Sequence, residues 1–374
     1  MAAPALRAVS APIATRVTAI DRLRGFVMIL MTVDHASGVF NAGRIMSDSA
    51  ALYTPGTPLP LAQFLTRWMT HLCAPTFVFL AGTALALSVE RRRAAGDSDS
   101  ALDRFILTRG FLIAALDPLW MSWVFSPGRV LLQVLYAIGG GLVCMVPLRR
   151  LGERALLVLA IVLIAGGEAL AGLGLLVGNG QPSAPVALLV TGGQLGPVIV
   201  AYPLLPWLAI MVLGWLLGSS LSRRTARVVA AGGLIGLATF VVVRAVNGYG
   251  NMRLLREDAS LVQWLHVSKY PPSLSFTSLE LGLMAIVLAA LLWHDRRREP
   301  RTGPVLVLGR TALFYYVLHV HVLMLGAWLL GALHRSGLGG TYLAAVGTLA
   351  ILYPACAWYG RYKRRRPNGW ARYL

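Results

Sequence analysis

Residues 19–40 read AIDRLRGFVMILMTVDHASGVF, an apolar run of membrane-crossing length that nevertheless carries Asp21, Arg22, Arg24, Asp34 and His35. A helix needs roughly 20 apolar residues to cross a hydrocarbon layer ~30 Å thick, so the run qualifies as a span. Ionisable groups inside a span are expensive and by default mark a functional interior. Arg22 and Arg24 at the start of the run can anchor to phosphate headgroups, whereas the Asp21 carboxylate wants a cationic partner there. Asp34 and His35 follow a further 13 and 14 residues along. At ~1.5 Å per residue His35 lies roughly 21 Å from Asp21 and nearly back on its face. Asp21, Arg24, Met28, Met31 and His35 therefore share one stripe, expected to face the bundle core.

The next span repeats the pattern. FLTRWMTHLCAPTFVFLAG, residues 64–82, runs the opposite way and places His71 seven residues past Phe64, roughly 10 Å deep by the same rise. Eight more segments have comparable character, which predicts ten spans: 20–40, 64–89, 105–125, 130–148, 154–177, 197–218, 227–246, 273–293, 304–330 and 341–360. Composition agrees. Of 374 residues 57% are hydrophobic and 13% charged, and the mean hydropathy is +0.67. A soluble chain of this length needs more polar surface.

The net charge of +19 could suggest nucleic acid. The arginines, however, punctuate apolar runs and do not form a basic groove with interleaved aromatics, so nucleic-acid binding is not expected. With the N-terminus inside, 26 of the 34 basic residues fall in loops on one side, after every second segment. The positive-inside rule then gives an all-α polytopic bundle with both termini cytoplasmic, an arginine fringe on anionic lipid, and a bacterial inner membrane as its location. Residues 1–15 carry no hydrophobic core of signal-peptide length. The expected organisation is a short N-terminal segment (1–15), one membrane domain (16–360) and a basic tail (361–374). A homodimer is among the assemblies the sequence allows. Cys73, Cys144 and Cys356 lie in apolar stretches without metal-ligand spacing, and no metal site is expected.

Two imidazoles and a carboxylate at one depth, His35, His71 and Asp34, suit general-base chemistry, because imidazole titrates near neutrality and a carboxylate can fix its tautomer. The competing reading is two histidines satisfied within the protein interior. His319 shares a face with Tyr315 and Tyr316, and His321, about 200° away, cannot join it. His266 sits in an outer loop where it can touch a polar acceptor. Asp117, Gln133, Glu168, Gln194, Arg244 and Glu280 are further isolated polar groups, and an acid paired with Arg244 is one arrangement they allow. The outer loops 41–63 and 247–272 (NGYGNMRLLREDASLVQWLHVSKYPP) are richer than simple connectors and are expected to line or cover a site.

The ordered blocks IDRLRGFVMILMTVDH (20–35), THLCAPTFVFLAG (70–82), AYPLLPWLAIMVLGWLLG (201–218), NGYG (247–250), SKYPPSL (268–274) and GRTALFYYVLH (309–319) resemble bacterial relatives of the heparan-α-glucosaminide N-acetyltransferase family. The resemblance runs from about residue 16 to 330 and implies acyl transfer across a membrane. Lysosomal members take acetyl-CoA from the cytosol and acetylate a terminal glucosamine on the far side. By that resemblance Arg22, Arg24, Arg109 and Arg310 are candidates for the CoA phosphates, for which arginine suits by bidentate geometry and permanent charge. Tyr202, Asn247, Tyr249, Lys269, Tyr270 and His319 become candidates for the acceptor. In the lysosomal pattern the catalytic histidine precedes the HLCAPTFVF block, but here TPLPLAQFL (57–65) has none. His71 stands where that pattern has an aspartate and His35 where it has an asparagine. Either catalysis has moved to His35 and His71 or the chemistry differs.

The expected function is thus acyl transfer from acyl-CoA to a glycan hydroxyl or amine. The rival readings are a transporter or flippase of a polar lipid or metabolite, and a haem or quinone redox protein.

Overall fold

The computed structural model describes residues 17–221, 225–295, 302–366 and 369. The expected N-terminal segment 1–15, the arginine runs at 223–224 and 296–298, and residues 367, 368 and 370–374 of the tail lie outside the described residues. Positions 361–365 of that tail continue the last helix, Leu338–Arg365.

Among the described residues seven helices are long and apolar enough to cross a membrane: Thr18–Phe40, Leu61–Ala94, Asp99–Phe125, Ala226–Val246, Leu274–Asp295, Ala312–Leu329 and Leu338–Arg365. Glu153–Ala165 and Gly167–Val177, bent by 57°, add an eighth if they count as one span. Val134–Leu148 and Leu204–Ser219 are apolar but shorter.

These two are short because the residues before them take another form. Val130–Leu132 pairs in parallel with Val198–Val200, which pairs antiparallel with Gly193–Leu195. The register is Val130 on Val198 and Gln194 on Ile199. The β-branched run VIV (198–200) favours extended backbone, and Gly196, with φ of +57°, turns the chain tightly between the two antiparallel strands. An all-α expectation therefore needs correction by one small three-stranded sheet. Beside it, the Asp117 Oδ2 accepts from the backbone N–H groups of Gln133 and Tyr136, both at 2.7 Å, and caps helix Val134–Leu148. Asp117 thereby has a structural use.

Two predicted spans are interrupted. Within Leu61–Ala94, the segments Leu61–Trp68 and Cys73–Ala94 are joined by a tight turn at residues 69–72, in which N–H groups bond back three residues instead of four. Pro75 has no N–H to offer the carbonyl of His71, four residues back, so the regular α-helical bonding lapses there. The turn that results carries His71. The predicted span 304–330 likewise divides into Pro304–Arg310 and Ala312–Leu329 at Thr311.

The first helix, Thr18–Phe40, is the hub. It packs on Cys73–Ala94, Leu274–Asp295, Pro304–Arg310, Ala312–Leu329 and Leu338–Arg365. Helix Leu204–Ser219 lies in backbone contact with Cys73–Ala94: a Cβ on Gly214 would come within 1.9 Å of the Phe79 carbonyl oxygen. Small residues permit this close approach where lipid supplies no hydrophobic drive for helix association. Ala226–Val246 lies at the periphery, with Leu234, Ile235, Val241, Val242 and Val246 all exposed.

Candidate active site

One end of the bundle gathers the basic residues around a cavity of about 680 Å³. Arg24, Arg91, Arg92, Arg109, Arg310 and Lys363 line it, together with Asp21 and Asp97. Met28, Ile113, Val134 and Leu135 give it apolar walls, and Tyr316 also lines it. The stripe expected on the first helix is thus largely a cavity wall, since Asp21, Arg24 and Met28 all line it. Asp21 finds the cationic partners its position demands, with Arg24 Nη1 and Arg310 Nε each at 3.4 Å from its carboxylate. Arg109 Nε is buried without a hydrogen-bond partner among the described residues. Arg22, expected beside the other three arginines, does not line this cavity and pairs with Asp295.

Beyond Tyr316 lies the first histidine centre. The rings of Tyr316 and His35 are 6.3 Å apart. His35 Nδ1 is 2.6 Å from His319 Nε2, and His319 Nδ1 is 2.6 Å from the Tyr316 carbonyl oxygen. His319 is fully buried and stacks on Tyr315 at 5.4 Å between centroids. Both its ring nitrogens are engaged within the protein, which leaves it no group for an acceptor substrate.

The second centre is a chain of buried and half-buried charges. Asp34 Oδ1 accepts from Arg44 Nη2 at 2.9 Å and from Arg67 Nη1 at 2.6 Å. Arg67 turns its other edge to Asp48, with Nε donating to Oδ2 at 2.8 Å. The second Asp48 oxygen lies 3.2 Å from His71 Nε2. One guanidinium therefore bridges two carboxylates, a task that suits its planar fork. Asp34 was expected to orient an imidazole, but the carboxylate bonded to His71 is Asp48. A carboxylate accepts, so His71 Nε2 donates, and His71 Nδ1 is left buried with no partner among the described residues. Burial pushes the Asp48 carboxyl up, yet Arg67 and His71 beside it hold it well below the ordinary carboxylate range.

Sequence reading missed Asp48 and underrated Arg67. The available signal was that Asp48 is the one acid in loop 41–63 and that Arg67 lies within a predicted span.

The two rich outer loops interlock. The Lys269 N–H donates to the Asp48 carbonyl at 2.8 Å, and Gly56 N–H and Tyr53 Oη donate to the Glu257 carboxylate at 3.0 and 3.1 Å. His266 Nε2 donates to the Ser47 carbonyl at 2.7 Å, the polar acceptor expected for it. Arg244 pairs with no acid among the described residues. It donates to Asn251 Oδ1 at 2.9 Å and to the carbonyls of Leu254, Gln263 and Trp264, fastening loop 247–272 to the end of its helix.

The acceptor candidates divide between these regions. Lys269, Tyr270 and Tyr202 are brought together: Lys269 is buried with Nζ 5.2 Å from the Tyr270 ring centroid, and Tyr202 lies 5.7 Å from Tyr270, ring to ring. Lys269 is also within electrostatic range of Asp34, His35 and His71. Asn247 and Tyr249 serve the loop instead. Asn247 exchanges two hydrogen bonds with the Arg256 backbone, and Tyr249 Oη donates to the Ala165 carbonyl at 2.6 Å.

An apolar helix bundle that encloses a charged cavity and two buried histidine centres is an integral membrane protein. The chain belongs to the heparan-alpha-glucosaminide N-acetyltransferase catalytic family, which it matches over residues 16–241, and it is thereby a membrane protein of the acyltransferase type. Residues 210–372 match a second family, described as a protein of unknown function (DUF418). No curated protein matches the chain.

Proposed function

We propose that the chain is a membrane-embedded acyltransferase that moves an acetyl or other acyl group from acyl-CoA to a glycan hydroxyl or amine. The donor enters at the basic, cytoplasmic end, and the acceptor approaches from beneath the outer loops. The observation that carries the proposal is one cavity lined by cations, apolar side chains and Tyr316, whose ring lies 6.3 Å from that of His35. Phosphates suit Arg24, Arg109 and Arg310, with Arg91, Arg92 and Lys363 added by the geometry. The unpartnered Arg109 Nε is a donor in want of an acceptor. The volume lies within the range of ligand pockets, ≈300–1,000 Å³.

The reading includes ten membrane crossings, with the bent pair and the two short helices each counted as one, both termini in the cytoplasm and a bacterial inner membrane. Residues 16–360 form the catalytic domain. His35 takes the acceptor proton as the acceptor heteroatom bonds to the thioester carbonyl carbon. The C–S bond breaks, and the proton is passed to the leaving thiolate. Lys269 is the cation that faces the charge developing on the carbonyl oxygen, while Tyr202 and Tyr270 bound the acceptor side. His71, held by Asp48, is the second imidazole and orders that side of the site.

The test is calorimetric titration of the purified protein with acetyl-CoA, together with release of free CoA in the presence of glucosamine as probe acceptor. Binding is expected in the wild type and in His35→Ala, with turnover in the wild type alone. Absence of acetyl-CoA binding, the result a transporter or flippase gives, or normal turnover by His35→Ala would overturn the proposal.

A further inference from the structure

We infer that His319 is a positioning residue that sets the tautomer of His35, so that His35 presents a bare Nε2 to the reaction. The inference rests on the acyltransferase reading for its consequence, although its geometry stands apart from it.

A carbonyl oxygen can only accept, so the 2.6 Å contact with the Tyr316 oxygen fixes a proton on His319 Nδ1. The Tyr315 carbonyl, at 3.3 Å, favours the same proton. His319 is fully buried, and no carboxylate contacts it among the described residues. A second proton there would leave a buried charge without a counterion, which is costly. The neutral ring therefore has an unprotonated Nε2. That nitrogen lies 2.6 Å from His35 Nδ1, and two bare nitrogens would repel at this distance. His35 must donate from Nδ1, which leaves its Nε2 as the basic atom.

The relay runs from backbone carbonyl to His319 to His35 and needs no carboxylate. Its logic matches that of a carboxylate behind a catalytic histidine: the partner fixes the tautomer and accepts from the imidazolium once Nε2 has taken the proton. Asp34, one residue from His35, does not fill this role because its carboxylate is held by Arg44 and Arg67. His35 is partly accessible whereas His319 is sealed, as expected if the first meets substrate and the second acts only through it.

The experiment is ¹⁵N-histidine NMR of the full-length protein in nanodiscs, with His35 assigned by its loss in His35→Ala. The expected wild-type signature is Nδ1 protonated and Nε2 unprotonated, and it needs no variant that could misfold. The paired kinetic test uses acetyl-CoA with glucosamine as probe acceptor. His319→Phe keeps ring packing but offers no acceptor, and kcat is expected to fall by on the order of 10²-fold. KM for acetyl-CoA should change less than about twofold, because His319 does not line the donor cavity. His319→Gln restores an acceptor oxygen and should be the more active of the two, whereas a purely structural role favours Phe. The inference is overturned if His35 carries its proton on Nε2, if either ring is doubly protonated, or if Phe equals or exceeds Gln. If the tautomer is as expected while His35→Ala turns over normally, the inference about His319 holds and the assignment of His35 as base fails.

Discussion

Gly309 and Asp21 are in direct backbone contact: a Cβ on Gly309 would lie 1.8 Å from the Asp21 carbonyl oxygen. The contact is reciprocal along the pair of helices, since a Cβ on Gly25 would lie 1.9 Å from the Val305 carbonyl oxygen. This approach delivers Arg310 to Asp21 and sets one side of the cavity. Gly309→Ala must force the helices apart, and overpacking of this kind destabilises by about 1–3 kcal/mol or more. A lower unfolding temperature in detergent and weaker acetyl-CoA binding are expected together. Gly347→Ala, inside helix Leu338–Arg365, where nothing lies within 4 Å of the added methyl, should lower neither.

Arg67 holds the buried Asp48 and the half-buried Asp34 at once. Arg67→Leu leaves Asp34 with Arg44 alone and Asp48 with His71 alone, and removing one partner of a buried pair costs about 3–5 kcal/mol. Loss of folded protein on size exclusion is expected. Arg67→Lys should recover only part of it, because an ammonium cannot reproduce the fork that spans both acids.

Asp48 makes stability depend on pH in one direction. Its folded carboxyl is held below the unfolded value of ~3.9, so its contribution is complete above that value and is lost as pH falls below it. The unfolding temperature of the wild type should drop as pH falls below about 4. In Asp48→Asn the overall midpoint should be lower, and the part of that acid slope due to Asp48 should be missing. An identical slope in the two proteins would show that the Asp48 pairing is not formed.

The arginines should separate by their place in the structure. Arg109→Gln removes a buried donor from the cavity wall, and charge-assisted bonds are worth about 1.5–3 kcal/mol, so acetyl-CoA affinity should fall roughly tenfold or more. Arg22→Gln should leave affinity within about twofold, since Arg22 is spent on Asp295 outside the cavity. Calorimetry on the two variants side by side distinguishes them.

Much of this was legible in the sequence because apolar length and arginine spacing are one-dimensional signals. Asp21, Arg24 and His35 fall on one face by helical arithmetic, and the structure keeps them on the wall or just beyond it. What escaped was through-space pairing. Nothing in FYYVLH says that His319 meets His35, some 284 residues away in sequence. Nor does the loop around Asp48 say that it folds back onto Arg67 and His71. The break at His71 could have been read from Pro75, whereas the short strands at 130–132 and 198–200 resemble span entrances in hydropathy alone.

The central claim is that the basic cavity holds the acyl donor with its thioester toward Tyr316 and His35. Electron cryomicroscopy of the protein with acetyl-CoA tests it most directly. The expected map has phosphate density against Arg24, Arg109 and Arg310 and a chain running inward to Tyr316. Density at another surface, or an empty cavity at saturating acetyl-CoA, would contradict it.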